Sequence, residues 1–263
     1  NEMGKYFKKK NFDLFLFLKD RYEVLAGVIA AYINRVPIAH IHGGEKTIDS
    51  LDDSYRHSIS KFSNLHLVSH QKFKKRLVQL GETKKNIFNV GGLGAASINS
   101  FNFLKKQDIE KKLKIHFKKN ILLVNFYPEI SNLKKSIIKL KKILIKLKKI
   151  ENSSIIFTLP SHDIGNDDFQ KIIKNFVSKN KNCRAYENLG QKVFLSLMKI
   201  SSLMIGNSSS GILECPSFNK YSINIGSRQE GRIYSKSVIN LPRDISRLDN
   251  IINKLLKKKH NDK

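Results

Sequence analysis

Short apolar runs rich in β-branched and aromatic residues alternate along this chain with segments of helical periodicity, and that alternation restricts the folds open to it. In the first half, Phe12 to Leu18, Val36 to His42, Leu65 to Ser69 and Ile87 to Gly91 read as buried strands. Tyr22 to Asn34, Ser50 to Phe62 and Gln71 to Leu80 read as the helices between them. In the second half, strands are expected at Ile121 to Phe126, Ile155 to Leu159, Leu203 to Gly206 and Tyr221 to Ile225. Helices are expected at Leu133 to Ile150, Asp167 to Ser178, Gln191 to Lys199, Ser209 to Phe218 and Ile245 to Lys258. Continuous apolar strands followed by amphipathic helices predict parallel sheets covered on both faces. The expected fold class is therefore α/β, with two Rossmann-like lobes.

Gly91 to Asn102 holds three glycines and no charge, and reads as the linker between lobes. The expected division is 1–100 for the first lobe, 101–242 for the second and 243–263 for a C-terminal helix. The first half begins almost at once on a strand and holds only four. A complete Rossmann-like sheet has about six. One or two βα units, on the order of fifty to eighty residues at ~30 per unit, are expected to be missing upstream.

Charge bears on partners. The net charge is +27, but only nine of the 49 basic residues are Arg. The lysines fall opposite an Ile/Leu stripe, as in Leu133 to Ile150, where Ile137, Ile138, Leu140, Ile143, Leu144 and Leu147 repeat at helical spacing. This is the pattern of a solvated face. The interleaving of Arg with aromatics typical of base stacking is missing, so no nucleic-acid partner is expected. A positive field does speed the encounter with an anionic substrate. The run Phe12 to Leu18 is far shorter than the ~20 apolar residues of a membrane span, and no cleavage site follows it. No membrane partner is expected, and the expected location is the cytoplasm. Cys183 and Cys215 stand in unrelated contexts and read as reduced, buried thiols.

Chemistry concentrates where expected strands end. Gly206-Asn207-Ser208-Ser209-Ser210-Gly211-Ile212-Leu213-Glu214 reads as strand, turn and helix start. Ligands of open α/β sheets bind at the carboxyl ends of strands, and a helix N-terminus suits phosphate. Ser208, Ser209 and Ser210 add hydroxyl donors, Gly211 lets the backbone come close, and Glu214 can accept hydrogen bonds from ribose. The plain alternative is a helix cap, for which one serine suffices. Arg228 and Arg232 follow another strand end and can grip phosphate; their alternative is a solvated turn. In the first half, Asp20, Glu45, Asp52, Asp53, Arg56 and His57 lie near the ends of adjacent strands. Close carboxylates shift one another's pKa and can do acid–base work. Asp20, Asp52 and Asp53 could instead be helix caps, and His40 a satisfied core histidine. His40, His42 and Glu45 are spaced too tightly for a metal site, and no metal is expected.

Taken in order, these strings resemble the hydrolysing UDP-N-acetylglucosamine 2-epimerases, which make N-acetylmannosamine-type sugars for sialic and related nonulosonic acids. The matching stretches are Asp20 to Glu23, Pro37 to Glu45, Asp52 to Lys61, Leu80 to Glu82, Ile205 to Glu214 and Asn224 to Arg232. The resemblance implies two Rossmann-like lobes in the GT-B arrangement, with the site in the cleft. It implies that Ser208, Ser209, Ser210 and Gly211 hold the diphosphate of UDP, Glu214 its ribose, and Arg228 a nearby anionic or uridine group. It implies acid–base roles for Asp20, Glu45 and one of Asp52 or Asp53, with Arg56 and His57 beside them. A base takes the C2 proton as UDP leaves C1, giving a glycal, and water then returns the free 2-epimer. No cofactor is expected, since arginines and helix ends can absorb the leaving charge. A homo-oligomer is expected.

Three places depart from the family pattern. Lys19 stands for the family's Gly, Tyr127-Pro128 for His-Pro, and Pro160-Ser161-His162-Asp163 for a Pro-Asn segment. Tyr127 can donate a hydrogen bond to phosphate but is neutral at pH 7. The alternatives are a degenerate nucleotide-sugar-binding protein, a GT-B glycosyltransferase that requires an acceptor sugar, and a lysine-rich nucleic-acid binder.

Overall fold

The computed structural model describes residues 2–18, 20–47, 51–129, 132–160, 166–242 and 244–258. Lys19, Ser161, His162 and Asp163 lie outside the described residues. In chain order the elements of the first part are α1 (Glu2–Lys9), β1 (Phe15–Leu18), α2 (Tyr22–Ile33), β2 (Ile38–Ile41), α3 (Leu51–Phe62), β3 (Leu65–Val68), α4 (Gln71–Gln79), β4 (Ile87–Asn89) and α5 (Leu93–Asn99). The second part holds α6 (Lys106–Leu113), β5 (Asn120–Asn125), α7 (Leu133–Lys148), β6 (Ser153–Thr158), α8 (Asn166–Ser178), β7 (Cys183–Tyr186), α9 (Gly190–Ile200), β8 (Leu203–Gly206), α10 (Ser210–Leu213), β9 (Ser222–Ile225), β10 (Val238–Leu241) and α11 (Leu248–Lys257).

The α/β class is as expected. Two compact units form, Asn1–Ser97 with Glu230–Arg232, and Ile98–Gln229 with Ile233–Lys263. The first holds a four-stranded sheet in the order β1-β2-β3-β4, every pair parallel. The second holds a six-stranded parallel sheet in the order β10-β9-β8-β5-β6-β7. There the order reverses at β5, which pairs with β6 on one side and β8 on the other. That reversal opens a crevice at the strands' carboxyl ends.

Side chains alternate across the second sheet with period two. Leu122, Val124, Ile155, Phe157, Leu203 and Ile205 join one core with Leu140, Ile143, Leu144 and Leu147 of α7. Ile121, Leu123, Ile156 and Met204 join the other with Leu197 and Met198 of α9. Each such side chain stabilises the fold by roughly 1.5–3 kcal/mol through burial. The lysine face of α7 is solvated as expected, and its stripe is narrower than expected, because Ile138 is exposed. Asn132 caps this helix, its side-chain oxygen accepting from the Lys135 amide at 3.1 Å.

The first sheet is covered less evenly. Phe17 packs inward with Val28, Ala31 and Ile38, and Pro37 at the start of β2 lends its carbonyl to the Phe15 amide. The opposite side chains of the edge strand and its approach, Leu14, Leu16 and Leu18, are 44%, 53% and 44% exposed.

Several elements differ from the sequence expectation. Gly91 to Asn102 contains a helix, α5, seeded by the Ala95-Ala96 pair and anchored by buried Ile98. Helices α1 and α6 and the edge strands β7 and β10 were not expected. Edge strands carry less continuous apolar sequence, and β7 reads Cys-Arg-Ala-Tyr. The helix expected over Ser209 to Phe218 is one α-turn, followed by a 3-10 turn at Cys215–Phe218. Pro216 has no N–H to continue an α-helical ladder.

Candidate functional site

In the first unit, β1 ends just before Asp20, and Glu45 lies on the turn that follows β2. Arg56, on the second turn of α3, reaches the Asp20 carboxylate and the backbone carbonyl of Glu45. The Arg56 side chain is buried, with both terminal nitrogens engaged. Nη1 donates to Asp53 Oδ1 at 2.9 Å and to the Glu45 carbonyl at 3.1 Å. Nη2 donates to Asp20 Oδ2 and, at 3.3 Å, to Thr47 Oγ1. Asp53 is tied further. Its Oδ1 accepts from the Thr47 amide at 2.7 Å, and its Oδ2 lies 3.5 Å from His57 Nε2. Asp52 is half-buried in the same first turn. A buried guanidinium demands such partners, since leaving one charge unpaired there costs several kcal/mol.

Glu45 is the most enclosed carboxylate of this group. Its oxygens meet Ser69 Oγ at 3.0 Å, His42 Nδ1 at 3.3 Å and Arg232 Nη1 at 3.4 Å. Burial pushes its pKa up, but the bond from His42, the Arg232 charge and the Ser69 hydroxyl outweigh it and hold the carboxyl below its ordinary range. Glu45 is thus ionised at neutral pH and a weak proton acceptor. Asp20 is more open, its side chain 26% exposed. Burial lowers the His57 pKa against the raising effect of Asp53, with Arg56, Arg76 and Lys46 adding to the lowering.

His40 takes the plainer of its two readings. It is buried, stacks on Phe17 and lies 3.0 Å from Ser60 Oγ through Nδ1. Ser60 spends its own proton on the Arg56 carbonyl, so His40 Nδ1 is the donor. Burial, with the nearby charges of Arg56 and the other histidines, drives its pKa down to about 3. Among the described residues, no three His, Cys, Asp or Glu side chains form a group that could hold a metal ion.

In the second unit the loop after β8 differs from the expected helix mouth. The Ser210 amide is spent on Ser208 Oγ at 3.3 Å and the Gly211 amide on the Ser208 carbonyl at 3.2 Å. A single α-turn contributes little macrodipole. Gly211 does not open the backbone outward. It is buried, and a Cβ there would rest against Ser222 at 3.6 Å, so it packs the turn onto β9. The side chains of Ser208, Ser209 and Ser210 are half-buried at this loop, and the half-buried Glu214 ends the turn. A pocket of about 290 Å³ opens beside it, at the carboxyl ends of β5 to β8, lined by Asn125, Tyr127, Thr158, Gly190, Ser208 and Ser210 among others. A hollow of similar size runs along the lysine flank of α7 instead of across strand ends.

Asn207, quoted in the loop but given no role by the sequence, is its centre. It is fully buried and contacts the segments after β5 and β9. Its Oδ1 accepts from the Tyr127 amide and its Nδ2 donates to the Tyr127 carbonyl, both at 2.8 Å. Its own carbonyl accepts from Arg228 Nη1 at 3.1 Å and Gln229 Nε2 at 2.8 Å. Arg228 in turn lies over the Tyr127 ring, 5.5 Å from its centroid. The two arginines expected to act as a pair part company, Arg228 clustering with the second unit and Arg232 with the first.

A family model described as UDP-N-acetylglucosamine 2-epimerase matches residues 1–263. The chain is 42% identical over 244 residues to the GDP/UDP-N,N'-diacetylbacillosamine 2-epimerase (hydrolyzing) of Campylobacter jejuni, covering 92% of this chain and 63% of that protein. It is 37% identical over 243 residues to the polysialic acid biosynthesis protein P7 of Escherichia coli, covering 92% and 62%. It therefore spans a little under two thirds of these relatives' length. In fold it is similar to the UDP-GlcNAc 2-epimerase from Neisseria meningitidis bound to UDP-GlcNAc, with a TM-score of 0.81 at 17% identity over 99% of this chain and 74% of that one. The S. aureus MnaA–UDP co-structure gives 0.79 at 16% over 98% and 70%. With the family model spanning the whole chain and the relatives above 30% identity, the chain belongs to the UDP-N-acetylglucosamine 2-epimerase family.

Proposed function

We propose that this protein acts in hydrolysing 2-epimerisation of UDP-N-acetylglucosamine or a related UDP-2-acetamido sugar, such as the UDP-N,N'-diacetylbacillosamine named for its relatives. The observation that carries the reading is the gathering of Asp20 and Asp53 on one buried arginine. Asp20 is the base. It is the most open of these carboxylates, and Arg56 holds one of its oxygens in place. It takes the proton from C2 as the C1–O bond to UDP breaks, and the C1=C2 bond of a glycal forms. Water then adds, hydroxyl to C1 and proton to C2 from the opposite face. Glu45 stays ionised, orients His42 and Ser69, and favours the positive charge that develops at the anomeric carbon. The pocket beside Ser208 and Ser210 takes the nucleotide, and Arg228 with the serine hydroxyls stabilises the departing diphosphate.

Incubation with each UDP-sugar in D2O, followed by proton and phosphorus NMR, tests this. UDP and a free 2-epimeric sugar carrying deuterium at C2 are expected. Asp20→Asn should lower kcat by about 10²–10⁴-fold while UDP affinity persists. Release of neither product by the unaltered protein overturns the reading. Binding of UDP without product leaves a binding protein in its place.

A further inference from the structure

We infer that Asn207 is a positioning residue that sets the anion-gripping geometry of Tyr127 and Arg228 without touching the ligand. The inference rests on UDP binding at this loop. Strands β5 and β8 stay paired as far as Asn125 and Gly206, and the Asn207 amide still donates to the Asn125 carbonyl at 3.0 Å. Beyond that point the Asn207 side chain takes over from the backbone. Its planar amide meets the Tyr127 N–H and C=O at once, as a neighbouring strand would. One carboxamide thus fixes where the Tyr127 ring stands. The carbonyl of the same residue fixes the guanidinium that lies over that ring. Gln229, itself buried, holds that carbonyl from a second side. The Arg228 guanidinium is therefore placed by Asn207 twice, directly through its carbonyl and indirectly through the Tyr127 ring.

Only an acceptor and a donor on one short planar group can do this. Aspartate matches the shape but offers acceptors alone when ionised, and would set an oxygen against the Tyr127 carbonyl. Protonated, it regains a donor. This gives a readout that a purely structural role would not produce. UDP affinity is measured by calorimetry from pH 5 to pH 8 for the wild type and Asn207→Asp, and compared as a ratio at each pH. The ratio removes the titration of UDP itself.

The expected result is binding about tenfold or more weaker than wild type at pH 8, narrowing toward pH 5, because full burial against the Tyr127 carbonyl raises the new carboxyl's pKa and favours its protonated, donating form. Gln229→Ala, which leaves every side chain facing the pocket in place, should weaken UDP by about three- to tenfold. A ratio of one at every pH, with only the melting temperature lowered, overturns the inference. If Asn207→Asp fails to fold, unchanged UDP affinity in Gln229→Ala overturns it. A wild-type protein that binds no UDP overturns the functional reading, and the inference falls with it.

Discussion

His40 carries a cost that shows only in acid. Its imidazole is held neutral between Phe17 and Ser60, with a folded pKa of about 3 against an ordinary 6.5. Between those values the unfolded chain binds a proton that the folded chain refuses. The stability is therefore complete above pH 6.5 and lost as the pH falls, by about 1.4 kcal/mol per pH unit for one such group. His66, also buried and lowered chiefly by burial, adds in the same direction. Urea unfolding at stepped pH should show the midpoint falling from pH 6.5 downward, and His40→Phe should flatten that slope. Equal slopes would show that the proton is accommodated. At this scale the grouping was legible in part. Asp20, Asp53 and Arg56 stand out near a strand end and a helix start, but helix starts also favour acidic caps, so only the shared bonds to Arg56 tell the two readings apart. Asn207 was not legible, because its partners are backbone groups of Tyr127, 80 positions away.

The loop after β8 shows what periodicity can and cannot give. The strand from Leu203 to Gly206 was legible from its apolar run, and the serine turn from its composition. The length of the following helix was not, since its one α-turn ends in the 3-10 turn around Pro216. Edge strands β7 and β10 escaped for a related reason, because half-exposed strands lose the continuous apolar signal. Two glycines bracket the turn and differ in kind. Gly206 has φ +146°, and a Cβ there would overlap the Asn125 carbonyl. Gly211 has a helical backbone and room at ordinary contact distance. Gly206→Ala should cost at least about 1–3 kcal/mol from backbone strain alone and weaken UDP binding. Gly211→Ala should stay within about 1 kcal/mol of wild type. Denaturant titrations of the two variants distinguish them, and equal losses would contradict the difference in geometry.

For the whole molecule, the alternation of apolar runs and helices was enough to predict two parallel sheets. It could not give the order β10-β9-β8-β5-β6-β7, because strand order depends on which crossovers pack, and no single segment records that. Nor could it foresee that Glu230–Arg232 would cluster with the first unit. The leucines on the open face of β1 have a practical consequence for handling. Like-charged molecules carrying +27 repel one another in dilute buffer, and this keeps those greasy rows apart. Salt shortens the reach of that repulsion from ~10 Å at 0.1 M to ~3 Å at 1 M. Light scattering should therefore rise as sodium chloride is added, the reverse of what most stock solutions are salted to achieve. Leu16→Thr with Leu18→Thr should keep the solution clear at the same salt, and a wild type that stays monodisperse at 1 M would show those leucines to be harmless. Low-salt storage is thus the condition in which charge, and not packing, keeps these leucines from one another.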